Sequence, residues 1–191
     1  MLVLGHFDEA IAEIKTAIDL EPTSLFSQRN FGIAYYYARR YTEAVRQLKQ
    51  VTEMDPNLEA TYPWLINSLK LQGKDAEAFD WFLKWQAVRK TKEEAIEVFE
   101  AAYQTSGWPG VGRERAKRFD ESKIRTYFME ACMTAQAGDV DKALEYLENS
   151  YQRREWGMAF MRFEPALDDL RGDPRFDVLL RRVEENLPNV E

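Results

Sequence analysis

His6 and Cys132 are the only histidine and the only cysteine in the chain. A thiol nucleophile needs a base beside it, and a metal site needs several donors gathered at one point. His6 stands next to a turn glycine, Gly5, and reads as a structural or solvated residue. Cys132 lies on an apolar helical stretch with Met129 and Met133, and reads as a small core residue with no histidine to serve as its base. Carboxylates are numerous, but they fall at ordinary helix-surface spacing, and nothing selects a pair for acid–base work. The segment Gly107-Trp108-Pro109-Gly110-Val111-Gly112 has the glycine content of a phosphate loop. No strand precedes it and no Gly-Lys-Ser/Thr follows it, so it reads as a turn between helices. The tryptophans (Trp64, Trp81, Trp85, Trp108, Trp156) read as core rather than as a ligand cage. No cofactor, no metal and no enzymatic activity are expected.

The bulk properties point the same way. The chain has 191 residues, 45% hydrophobic and 31% charged, with a net charge of -7. That suits one well-folded soluble domain or one continuous array. Phosphate-backbone binding needs clustered Lys and Arg. The basic stretch Arg113, Arg115, Lys117, Arg118, Lys123 and Arg125 is interleaved with Glu114, Asp120 and Glu121, which marks a solvated helix face. Nucleic acid is therefore not an expected partner. No run reaches the length of a membrane span, and Met1–Leu4 has no basic n-region or cleavage site. One thiol excludes an internal disulfide and fits a reducing compartment, so a cytoplasmic location is expected.

What the chain does offer is a period. Ala10, Ala44 and Ala78 are 34 residues apart; so are Ile14, Leu48 and Phe82, then Ala17, Val51 and Trp85, and finally Pro22 and Pro56. A fixed period of this length means one helical hairpin used several times. Apolar spacing of three and four predicts helices over 7–20, 24–39, 41–54, 58–72 and 74–89. Ser24 is a candidate N-cap, and Pro22 and Pro56 close their units. A small residue at 10, 44 and 78 lets paired helices approach, and the large residue one turn later fills the gap between hairpins. Beyond residue 90 the signal weakens. A helix is predicted over 92–105, with Thr91 as its cap. The next period step lands on Gly112.

Regularity resumes with helices over 122–137 and 139–153, separated by Gly138. Ala143 lies 31 residues after Gly112, so the fourth unit is three residues short. An apolar stretch follows (Trp156, Met158, Phe160, Met161, Phe163). A short helix is predicted from Pro165 to Gly172, then a final one capped by Asp173 with Pro174 in its first turn. Phe176, Leu179, Leu180 and Val183 form one stripe there, with Arg181, Arg182, Glu184 and Glu185 outside, as the wet-faced end of a stack requires.

The pattern is similar to the tetratricopeptide repeat family. The carrying residues are Gly32 and Tyr35 on a first helix, the turn positions Gly5, Arg39 and Gly73, and then Ala44, Leu48 and Pro56. The third unit departs from it with Ile66, Leu69 and Lys90. The resemblance implies an all-α fold, a right-handed α-α superhelix of helical hairpins with a C-terminal capping helix. The expected divisions are 1–90 (repeat units, the first half-present), 91–121 (a degenerate fourth unit), 122–155 (a repeat-like hairpin) and 156–191 (an aromatic linker and capping helices), in one array. The tail Leu170-Arg171-Gly172-Asp173-Pro174-Arg175-Phe176 resembles the C-terminal repeat region of bacterial winged-helix regulators, adenylate-cyclase-like proteins and Ser/Thr kinases. None of those catalytic or DNA-binding domains is visible, so the chain looks like the repeat half of a larger regulator.

In the family, the first helix of each hairpin lines an inner groove. Here that implies Phe26, Arg29, Ile33, Tyr36 and Tyr37 in one unit and Pro63, Asn67, Lys70 and Leu71 in the next. The expected partner is a protein: a peptide or helix in that groove, with Arg29 and Lys70 on an acidic group. For Tyr36 and Tyr37, packing between hairpins is an equal alternative. Arg29 and Asn67 fit a carboxylate clamp, but Ala60 and Trp64 do not, so chaperone C-termini are not expected ligands. The rival expectation is a self-assembly module stacking through its uncapped N-terminal edge.

Overall fold

The computed structural model describes residues 4–121 and 126–186. It is all-α, with no strand among the described residues. The helices are α1 (Phe7–Leu20), α2 (Leu25–Tyr37), α3 (Tyr41–Met54), α4 (Tyr62–Leu71), α5 (Asp75–Val88), α6 (Glu93–Glu121), α7 (Tyr127–Gln136), α8 (Val140–Gln152) and α9 (Pro174–Asn186). Shorter 3₁₀ segments run over Glu59–Thr61, Trp156–Phe160 and Pro165–Leu170. The chain divides into two compact units, Met1–Ile96 and Glu97–Glu191.

In the first unit, α2 pairs with α3 and α4 with α5. Ala34, Ala44, Leu48, Val51, Leu65, Ile66, Ala78 and Phe82 are wholly buried between them. Gly32 is the tightest point. A Cβ placed there would stand 2.6 Å from Leu48 Cγ, so only hydrogen fits between the helices. The Ser24 side chain caps α2 by accepting the Ser27 N–H at 3.4 Å. α1 packs on α2 through Ala10 and Ile11. Ala17, placed on the inward face by periodicity, is instead exposed along with Leu20, because no described element covers that side of α1.

The hairpin ends share one closure. At Arg39 the chain turns left-handed (φ 59°), the Arg39 N–H donates to Tyr36 O, and the Arg40 N–H donates to Tyr35 O. Gly73, Lys90, Gly138 and Arg154 repeat this two-bond closure, which satisfies the last carbonyls of a helix. Left-handed residues recur at 5, 39, 73 and 107, and again at 138 and 172. The step is 34 throughout except for 31 between 107 and 138, where three residues are missing.

Gly107 narrows one expectation. The chain turns between two helices as expected, but the break is confined to Gly107 (φ 60°, ψ -148°), and helical backbone resumes through Pro109 to Glu121 instead of a loop over 107–112. Pro109 is tolerated because it lies in the first turn after that break, where no carbonyl awaits its missing N–H. The two arms meet closely, since a Cβ on Gly110 would lie 2.4 Å from the Ala102 carbonyl oxygen. Gly112 is as tight against Ala137 and occupies the small-residue position of the period. The predicted helix over 122–137 is observed from Tyr127, and residues 122–125 lie outside the described chain.

The second unit is built on the α7–α8 hairpin, with the 3₁₀ segments and α9 packed against it. Its core includes Ala131, Ala143, Tyr146, Leu147, Met161, Leu167, Leu170 and Phe176. Glu155 secures the start of α7. Its Oε1 accepts the Tyr127 N–H (3.0 Å), and its Oε2 accepts the Phe128 N–H (2.8 Å) and the Ser150 hydroxyl (3.0 Å). The predicted short helix after Pro165 is a 3₁₀ segment, and α9 shows the predicted stripe with Phe176, Leu179 and Val183 buried.

Candidate functional site

The candidate face lies in the first unit, on the first helices of its hairpins. Phe26 is in the first turn of α2 and is 68% exposed, an unusual state for a phenylalanine. Arg29 follows one turn later. Its guanidinium carbon is 5.8 Å from the centre of the Phe26 ring, within cation–π range. Arg29 Nε is buried without a hydrogen-bond partner among the described residues. Ile33, one turn further on, is half-buried. Positions 26, 29 and 33 thus share one stripe of α2.

Tyr36 and Tyr37 do not belong to that exposed stripe. Both are buried, with the Tyr36 ring 5.3 Å and the Tyr37 ring 5.7 Å from Trp64 of α4, and Tyr37 stacks at 6.3 Å on Phe7 of α1. These rings join three helices of the unit. On α4, Pro63 and Asn67 are also buried, and Asn67 Oδ1 has no partner among the described residues. Lys70 and Leu71 are half-buried at the end of the helix. The accessible members of the predicted set are therefore Phe26, Arg29, Ile33, Lys70 and Leu71.

The residues singled out for chemistry are placed as follows. His6 is exposed, with Nδ1 at 3.2 Å from Glu9 Oε1. Cys132 is buried, and desolvation together with the nearby Glu164 pushes its thiol well above the ordinary range. No group of three or more His, Cys, Asp or Glu side chains among the described residues is arranged to hold a metal. No described helix is long and apolar enough to cross a membrane. In the basic stretch, Arg115 pairs with Glu130 in the interior, Lys117 with Glu114, and Arg118 lies over the Phe99 ring at 5.3 Å. Lys123 and Arg125 lie outside the described residues. Among the tryptophans, Trp64, Trp85 and Trp108 are core and Trp81 is half-buried, whereas Trp156 is 68% exposed, contrary to the core expectation.

Sequence reasoning missed two features of the second unit. Glu155 caps a helix that begins 28 residues earlier, a relation that no local pattern encodes. A cavity of about 620 Å³ opens beside Trp156, lined also by Tyr151, Arg154, Met158 and Val183. Its only signal in the chain was the density of large apolar residues after position 155.

Residues 29–90 match the family model described as tetratricopeptide repeat. None of the curated proteins matches the chain. The matched span starts in α2 and closes at the left-handed Lys90 after α5, so it holds most of two observed hairpins and eight of the nine groove positions named above, all but Phe26. Repeats of this family generally mediate protein–protein contacts, and the similarity covers residues 29–90, about a third of the chain.

Proposed function

We propose that the chain is a non-enzymatic scaffold that binds a peptide or helix of a partner protein on the α2–α4 face. The observation that carries this reading is the exposed Phe26 ring with Arg29 beside it, at the edge of the repeat segment. Aromatic and arginine side chains are the types that anchor interfaces. Phe26, Ile33 and Leu71 supply apolar contact, and Arg29 and Lys70 meet an acidic or carboxylate group. Tyr36, Tyr37 and Asn67 act from beneath by fixing the spacing of α2 and α4. The tail motif at 170–176 supports a place in a bacterial signalling or transcription regulator working in the cytoplasm.

The test is selection of a phage-displayed library of random peptides on the protein, followed by titration of the selected peptides. Replacing Phe26 and Arg29 together by alanine is expected to abolish binding while helicity is retained, because Phe26 is exposed and the half-buried Arg29 has no hydrogen-bond partner at its buried Nε. Undiminished binding by the double variant would overturn the assignment.

A second reading has its own support. Leu20 is 84% and Leu4 43% exposed at the α1 edge, which favours stacking on another copy. Solution mass separates the two, since self-assembly predicts a concentration-dependent rise that Leu20→Glu removes.

A further inference from the structure

The second unit carries a surface that the α2–α4 reading does not use. At the end of α8 the chain turns left-handed at Arg154 (φ 53°) and enters the Trp156–Phe160 segment. The Trp156 ring is held edge-on by Phe160, with centroids 5.8 Å apart, yet remains 68% exposed. Beside it opens the cavity of about 620 Å³, within the size range that holds a small ligand or a few side chains. Buried Met158 and Val183 line it, and the Tyr151–Asn186 pair (3.1 Å) adds polar lining. Two charged side chains contribute. The Glu155 carboxylate is already engaged by three donors at the α7 start. The Arg154 side chain has no hydrogen bond, ion pair or ring contact among the described residues. Glu184, which follows Val183 in the chain and does not line the cavity, pairs with Arg162 at 3.2 Å.

The uncommitted charge at this cavity is therefore positive, although the whole chain is at -7. Its other assets are an indole face and an apolar wall. We propose that this cavity docks an acidic peptide segment of a partner protein, which lays an aliphatic or aromatic side chain against Trp156 and Met158 and sets a carboxylate on Arg154. A guanidinium with no internal partner loses no existing bond when it binds a carboxylate, and a fixed exposed indole loses little freedom on contact. The peptide's apolar side chain supplies burial and its carboxylate supplies direction.

Three matched peptide libraries test this, each with one central Leu, Phe or Trp, flanked by Asp/Glu, by Lys/Arg, or by Ser/Gly. Indole N–H signals are followed by NMR, with Trp156 assigned from Trp156→Phe. The acidic library is expected to shift the Trp156 signal saturably, the neutral one weakly and the basic one not at all. Arg154→Glu is expected to weaken acidic binding at least about tenfold, and Trp156→Ala to abolish it. Both positions are exposed, so melting temperatures should hold for each variant. The Phe26/Arg29 double variant is expected to bind these peptides normally, which separates this site from the α2–α4 face. A stationary Trp156 signal, equal response to the basic library, binding that survives Arg154→Glu, or a response to free phenylacetate but not to peptides would each overturn the proposal.

Discussion

Arg182 grips Glu148 with two N–H bonds, from Nη1 to Oε2 at 2.8 Å and from Nη2 to Oε1 at 3.1 Å, and the two residues are 34 positions apart. Arg175 and Asp141, also 34 apart, pair at 2.7 Å. Gly138 and Gly172, again 34 apart, both turn left-handed. The tail thus continues the repeat: α9 stands one period after α8, and the Pro165–Leu170 segment stands where a first helix is expected.

These pairs give a pH dependence with a defined sign. The Arg182 hydrogen bonds hold the Glu148 carboxyl below its ordinary value, and Arg175 holds Asp173 down to about 2 from 3.8. A carboxyl lowered by folding contributes stability that is fully present above its unfolded value and lost as pH falls through its folded value. Denaturant melts of the chain should show stability declining from the ordinary carboxylate range toward pH of about 2, with Arg182→Gln and Arg175→Gln each flattening the decline. Because the Glu148–Arg182 pair is more than a third exposed, a double-mutant cycle should give a coupling of at most about 1 kcal/mol.

Gly32→Ala forces a methyl group against buried Leu48 at 2.6 Å. Overpacking of this kind costs about 1–3 kcal/mol. The melting temperature should fall, and Leu48→Ala combined with Gly32→Ala should cost less than the sum of the single changes, because the second cut makes the room that the first needs.

Lys90 sits at φ 55°, where a side chain is strained and glycine is not. Its equivalents at the other hairpin ends include Gly73 and Gly138. Lys90→Gly should therefore raise stability by about 0.5–1 kcal/mol, measured by urea unfolding, whereas Gly73→Lys should lower it.

Cys132 is sealed in the second unit's core, and burial raises its thiol. Labelling with a thiol reagent should be negligible in buffer and complete in urea, so its rate reports the opening of that unit.

The 34-residue period and its alanines made the hairpins legible, because each repeat restates the same packing problem at Ala44 and Ala78. Past residue 90 the sequence was harder to read. Gly107, Gly110 and Gly112 looked like a loop, yet two of them are glycine because helices cross there too closely for a Cβ, and only Gly107 is glycine for its dihedral angles. Of the groove positions that the family resemblance implied, Phe26 is exposed and Arg29 half-buried. Tyr36, Tyr37 and Asn67 are buried, and for the two tyrosines burial depends on Trp64 and Phe7 from other helices, which no spacing within α2 reveals. Trp156 departed the opposite way, exposed where composition alone favoured the core.

The most direct test of the scaffold reading is photo-crosslinking with a benzophenone amino acid placed at Phe26 in one sample and at Leu20 in another, each incubated with the library-selected peptides. The account predicts a peptide adduct from position 26 that Arg29→Ala suppresses, and none from position 20. Adducts from position 20 alone, whether to peptide or to a second copy of the chain, would contradict it.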